Sequence, residues 1–237
     1  MKIACWSGPR NISTALMRSW SSRDDTFVSD EPFYAYYLKE TGFNHPMKEE
    51  IINYYSTNQN DIIENLTSDI PNNKKIWYQK HMAHHLLKMN DLSWIKNFKN
   101  CILIRHPKFV INSYIKKNTL KSVSELGYPQ QLSIIKFLQK ENIKFYIIES
   151  DLFLENPKKK LYDWCNFFEI DFHQKMLSWP KGPHKNDGIW GEHWYNNINN
   201  SKSFSKKIGD SSNSYINYKS IYDDAIYFYK KIYNMQL

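Results

Sequence analysis

The stretch Lys2-Ile3-Ala4-Cys5-Trp6-Ser7-Gly8-Pro9-Arg10-Asn11-Ile12-Ser13-Thr14-Ala15-Leu16 decides the fold. It opens with a short apolar run of strand length, residues 2–6. Ser7-Gly8-Pro9-Arg10-Asn11 is turn chemistry, and residues 12–23 read as a helix. Working outward, the same alternation continues. Strands are expected at 26–30, 75–80, 100–104 and 144–149. Helices are expected at 32–39, 47–55, 61–66, 107–117, 130–141, 157–168 and 218–233, with Pro107 suited to a first turn. Alternating βα units predict an α/β fold: a mostly parallel sheet flanked by helices on both faces. With no repeat or linker, one domain over 1–237 is expected. Its segment at about 178–207, rich in Gly, Pro, Asn and Trp, reads as irregular and lid-like. Ligands of such sheets lie at the carboxyl ends of the strands.

Two of those strand ends carry anion chemistry. In the first, the N–H groups at the start of the helix point outward and the helix dipole adds partial positive charge. Ser13 and Thr14 add hydroxyls in the first turn, and Arg10 adds a fixed cation. The loop is not a Walker A sequence. Counted from Gly8, the Gly-Lys-Ser/Thr positions hold Ser13, Thr14 and Ala15. The plainer alternative is a turn followed by a helix that these hydroxyls cap. In the second, the strand Cys101-Ile102-Leu103-Ile104 delivers Arg105, and Ser113 follows eight residues later on the helix begun by Pro107. Arginine grips an anion through two parallel N–H bonds, and serine adds a third donor.

Together these two signatures resemble those of the sulfotransferases that use 3′-phosphoadenosine 5′-phosphosulfate (PAPS). The likeness covers roughly the first 170 residues in order and the tail more loosely. The GPRNISTA loop and the SDEPFYA segment are similar to those of bacterial sulfotransferase-like proteins. The resemblance implies a P-loop-NTPase-like sheet and transfer of a sulfuryl group to a hydroxyl, or secondarily an amine, of a small acceptor, with PAP as product. It places Arg10, Asn11, Ser13 and Thr14 on the 5′ side of the nucleotide, and Arg105 and Ser113 on the 3′-phosphate. Many members have Lys where Arg10 stands. Arginine stabilises charge there but cannot give up a proton.

An alcohol acceptor also needs a proton acceptor. By the resemblance, Glu31 in Ser29-Asp30-Glu31-Pro32 matches a catalytic glutamate, with Asp30 an equal alternative on sequence alone. Lys80-His81 loosely matches a Lys and catalytic His of other branches, which makes His81 the rival base. His81, His84 and His85 have zinc-ligand spacing, but no fourth ligand is evident, so no metal is expected. Gly182-Pro183-His184-Lys185 is similar to the family's basic closing loop, with Lys185 the expected nucleotide contact and Trp190 and Trp194 as roofing.

Composition narrows the remaining classes. Thirty-two Lys and Arg against 24 Asp and Glu give +8, which favours an anionic partner without choosing one. The charges are scattered and no recognition motif occurs, so no nucleic-acid partner is expected. No run approaches the roughly 20 apolar residues of a membrane span, and MKIACWSGPR is not read as a signal peptide. Three cysteines without CxxC spacing suit reduced thiols and a cytoplasmic location. A P-loop kinase or phosphotransferase, a basic nucleic-acid-binding module and an inactive nucleotide-binding protein stand as alternatives.

Overall fold

A computed structural model describes residues 1–87, 91–205 and 213–235. Lys206 and Lys207, the last positions of the expected 178–207 segment, lie outside the described residues. The strands are β1 (Lys2–Ser7), β2 (Thr26–Asp30), β3 (Ile76–Met82), β4 (Lys99–Ile104) and β5 (Phe145–Glu149). They form one sheet in the order β2-β3-β1-β4-β5, and every pairing is parallel. The chain leaves β1 toward β2 and β3, then crosses back past β1 to add β4 and β5. This places the topological switch point between β1 and β4, where a crevice opens beyond the strand ends.

The helices are α1 (Ser13–Ser21), α2 (Tyr34–Thr41), α3 (Lys48–Tyr54), α4 (Gln59–Thr67), α5 (Pro107–Tyr114), α6 (Tyr128–Lys140), α7 (Ser150–Glu155), α8 (Pro157–Phe167), α9 (Gly191–Trp194), α10 (Asn196–Asn199) and α11 (Lys219–Tyr233). They cover both faces, because alternate residues of each buried strand point to opposite sides. Ile3 and Cys5 of β1 pack with Leu16, Met17 and Trp20 of α1 and Leu161 and Trp164 of α8. Ala4 and Trp6 pack on the other face with Leu132, Ile135 and Leu138 of α6 and Ile232 of α11. Among the described residues no helix is long and apolar enough to cross a membrane.

Two regions depart from the sequence reading. Helix α7 was not expected: it is too short to show a helical period, and it starts directly on β5, where the Glu149 side chain accepts from the Leu152 N–H at 2.7 Å. The 178–207 segment contains α9, α10 and a bridge between Ser178 and Ser203. It is fastened to the body by the buried Arg18–Asp187 ion pair at 2.6 Å, reinforced by Arg18 donating to Asn199.

Candidate active site

The loop after β1 is built around a close backbone approach. A β-carbon on Gly8 would lie 2.2 Å from the Leu126 carbonyl oxygen, so only glycine fits. Arg10 then takes a left-handed backbone with φ 60°, uncommon for a residue with a side chain. Its Nε donates to the Ser113 hydroxyl at 2.8 Å. From β4, Arg105 Nη1 donates to the Arg10 carbonyl at 3.3 Å, while Nη2 lies 3.2 Å from the half-exposed Asp151 carboxylate. Arg10 thus meets Arg105 and Ser113, which lie 95 and 103 residues further along the chain, at the switch point between β1 and β4. Arg10 makes no ion pair among the described residues. Burial first, and then the charge of Arg105, lower its pKa from the ordinary value.

Next to this cluster stands the N-terminus of α1. Ile12 occupies its capping position, no side chain caps it, and no acidic residue lies in its first turn. By contrast, Asn58 caps α4 and Asn156 caps α8. The capping alternative for Ser13 and Thr14 therefore does not describe this helix, and its first N–H groups keep their capacity for an anion. Asn11 is committed elsewhere: its Nδ2 donates to the Leu103 carbonyl at 3.1 Å, which ties the loop to β4.

The ends of β2 and β3 hold a different kind of cluster. Asp30 and Lys80 are register partners and share a face. Lys80 Nζ donates to Asp30 Oδ1 at 2.8 Å, Glu31 Oε1 at 2.7 Å and the Tyr195 hydroxyl at 2.6 Å. The Tyr195 hydroxyl donates to Asp30 Oδ2 at 2.7 Å, and the same oxygen accepts from the Gly188 N–H. Lys80 is 1% exposed, so all three of its donor positions are spent inside the protein. Its pKa is raised well above the ordinary value by the two carboxylates, against the desolvation that opposes it. Glu31, like Arg10, sits at positive φ, 42°. Burial dominates its titration and pushes its pKa up, Asp30 adds to that, and Lys80 opposes it. The cation that Glu31 meets is Lys80.

His81 is held away from this cluster. It follows Lys80, so strand alternation turns it to the opposite face. There it is register partner to Trp6 and stacks on that indole at 4.3 Å, 1% exposed. Its Nε2 pairs with Gln79 Oε1 at 3.1 Å, and burial pushes its pKa down to about 3. His84 and His85 are also buried, in contact with the Tyr37 ring. Among the described residues no group of His, Cys, Asp or Glu is arranged to hold a metal. Lys185 is exposed, and its neighbour Asn186 is tied to the Val28 carbonyl of β2. Three strand spacings, roughly 14 Å, separate β2 from β4. The chain at Lys185 is thus anchored on the β2 side of the crevice.

Tyr195 and Asp151 were missed by the sequence reading. Tyr195 sits in a stretch without periodicity, and Asp151 opens a helix too short to recognise.

The architecture has relatives. The family model described as "Sulfotransferase domain" matches residues 1–235. The solved structure "Sulfotransferase Domain from the Synechococcus PCC 7002 Olefin Synthase" superposes with a TM-score of 0.55 at 14% identity, covering 94% of each chain. "Sulfotransferase Domain from the Curacin Biosynthetic Pathway" gives 0.50 at 16% identity, covering 79% of this chain and 80% of that one. Two curated proteins of Arabidopsis thaliana, branched-chain-amino-acid aminotransferase-like proteins 1 and 2, are 34% identical over 203 residues, 86% of this chain. The chain spans only 36% of their length. These likenesses agree with the parallel sheet, and the chain belongs to the sulfotransferase-domain family.

Proposed function

We propose that the protein moves a sulfuryl group from PAPS to a hydroxyl of a small acceptor. One observation carries this reading: Arg10, Arg105 and Ser113 converge at the switch point beside the uncapped start of α1, with a carboxylate at the next strand end but one. The residues fit the donor. It carries phosphate at its 3′ end and phosphosulfate at its 5′ end, and the crevice offers guanidinium groups plus a helix N-terminus with two hydroxyls. Arg105 and Ser113 take the 3′-phosphate, while Ser13, Thr14 and the first N–H groups of α1 take the 5′ side.

Transfer is an in-line displacement helped by positioning and charge. The acceptor oxygen bonds to sulfur as the bond from sulfur to the bridging oxygen breaks. The electron pair of that bond goes to the nucleotide phosphate, where the helix N-terminus stabilises it. Glu31 takes the acceptor proton. Lys80 fixes its Oε1, which leaves Oε2 for the acceptor. Asp30 is spent on Lys80, Tyr195 and Gly188, and His81 faces the far side of the sheet, so both are weaker choices for the base. The buried thiols of Cys5, Cys101 and Cys165 suit a reducing, cytoplasmic setting.

The experiment is transfer from PAPS labelled on its sulfuryl group to a panel of phenols, alcohols and amines, with a chelator present. Label should pass to an organic product. Turnover of ATP with magnesium, and none of PAPS, would instead support the phosphotransferase alternative.

A further inference from the structure

Three segments distant in sequence build an aromatic wall next to the base. It begins at Tyr34, whose N–H donates to the Glu31 carbonyl at 2.9 Å. The Tyr34 hydroxyl pairs with His45 Nδ1 at 2.8 Å. The His45 ring, on the connection from α2 to α3, meets both Phe43 at 5.9 Å and Trp194 of α9 at 6.3 Å. Each of those two rings carries a lysine from the connection between α5 and α6. Lys121 Nζ stands 6.0 Å from the centre of the Phe43 ring, and Lys117 Nζ stands 5.7 Å from that of Trp194. Both lysines are exposed, and among the described residues neither makes an ion pair. The carboxylate of their own connection, Glu125, is buried and turned to the Tyr114 hydroxyl at 3.1 Å and the Lys121 N–H at 3.2 Å.

Resting on the PAPS reading above, we infer that this wall is the acceptor site and that the acceptor is a phenolic acid, with its hydroxyl at Glu31 and its carboxylate at Lys117 and Lys121. The ring faces of the wall suit a flat acceptor. His84 and His85 pack on the Tyr37 ring, and each has a buried Nδ1 without a hydrogen-bond partner, which a polar group of the acceptor can satisfy. Burial lowers the pKa of His45, His84 and His85, so the wall itself stays neutral at pH 7. Charge on the acceptor is therefore read at the two lysines. In the transfer, the phenol oxygen bonds to sulfur and its proton passes to Glu31, while the bond from sulfur to the bridging oxygen breaks. The carboxylate takes no part in the chemistry. It orients the ring, and an acceptor without it leaves both ammonium groups unmatched.

The test is transfer from PAPS labelled on its sulfuryl group to para-hydroxyphenylacetate, its methyl ester and tyramine, which share a phenol and differ in charge. The acid should exceed the ester in kcat/KM by about 3- to 10-fold, as two exposed ion pairs allow, and tyramine should fall below both. Added salt should shrink the preference, because the lysines are exposed. In the double variant Lys117→Gln with Lys121→Gln the acid-to-ester ratio should fall to about one. Equal kcat/KM for acid and ester in the wild type, or a preference that survives in the double variant, would overturn the inference. So would transfer to none of the three by a protein that still binds PAP more tightly than AMP. A wild type that binds PAP and AMP alike would sink the PAPS reading itself, on which the acceptor assignment rests.

Discussion

The two halves of the crevice handle charge in opposite ways. At the ends of β1 and β4, among the described residues, Arg105 is paired with Asp151, while the Arg10 guanidinium is bonded to the neutral Ser113 hydroxyl and to no carboxylate. At the ends of β2 and β3, Lys80 is enclosed by Asp30, Glu31 and Tyr195, and each of its donors is used. The first half keeps unspent charge, which is what binding an anion requires. The second spends its charge on itself, which holds one carboxylate in place beside the first half. An unspent site depends on its ligand for neutralisation, whereas a spent one contributes to the fold. Substitutions should therefore act on binding in one half and on stability or turnover in the other.

The largest separation is expected at Glu31. Glu31→Gln removes the proton acceptor and keeps the shape, so turnover should fall about 10²- to 10⁴-fold while PAP affinity changes little. Full activity in this variant, together with a collapse in His81→Ala, would move the base to β3. Because burial raises the Glu31 pKa, the acid limb of kcat/KM should have its midpoint above 4.5, the ordinary glutamate value, with activity lost as pH falls through it.

Next comes Lys80. Lys80→Met leaves Asp30 and Glu31 buried without their cation, which should cost about 3–5 kcal/mol in urea unfolding. Arg105→Ala breaks a pair whose Asp151 side chain is 37% exposed, so its stability cost should stay near 0–1 kcal/mol. Equal costs would erase the distinction between the halves.

A smaller effect should appear with acid. Burial holds His81 and His84 near pKa 3 and pushes His85 well below the ordinary 6.5. Between those values the unfolded chain binds protons that the folded chain refuses. Stability should therefore fall as pH drops below 6.5, by about 1.4 kcal/mol per pH unit for each histidine. His81→Gln should reduce that slope by one histidine's share without abolishing turnover. A change of similar size is expected for Tyr195→Phe. Loss of its bonds to Lys80 and Asp30 should cost about 1–2 kcal/mol of stability and leave PAP affinity intact. A weakened PAP affinity would mean that the halves are coupled.

The sheet was legible because its strands are short apolar runs between turn residues, and all five were expected close to their observed bounds. That the Arg10 loop and the Arg105–Ser113 pair open on one sheet edge followed from the rule that parallel strand ends share it, whereas the direct Arg10–Ser113 bond was not expected. Three features were not legible. The face of His81 depends on register, and a neighbour one residue away points to the other side. The direction of the Arg10 head group depends on a left-handed backbone that no residue type announces. The place of Lys185 depends on Asn186 and Asp187, whose anchors on β2 and α1 are distant in sequence.

The central claim is that the β1–β4 half is a site for a 3′-phosphorylated adenine nucleotide. Melting temperature measured with PAP, AMP and ATP at equal concentration, without divalent metal, tests it most directly. A tighter ligand raises the midpoint further by mass action. PAP should give a clearly larger rise than AMP or ATP. Equal rises with PAP and AMP, or a larger one with ATP, would contradict the account.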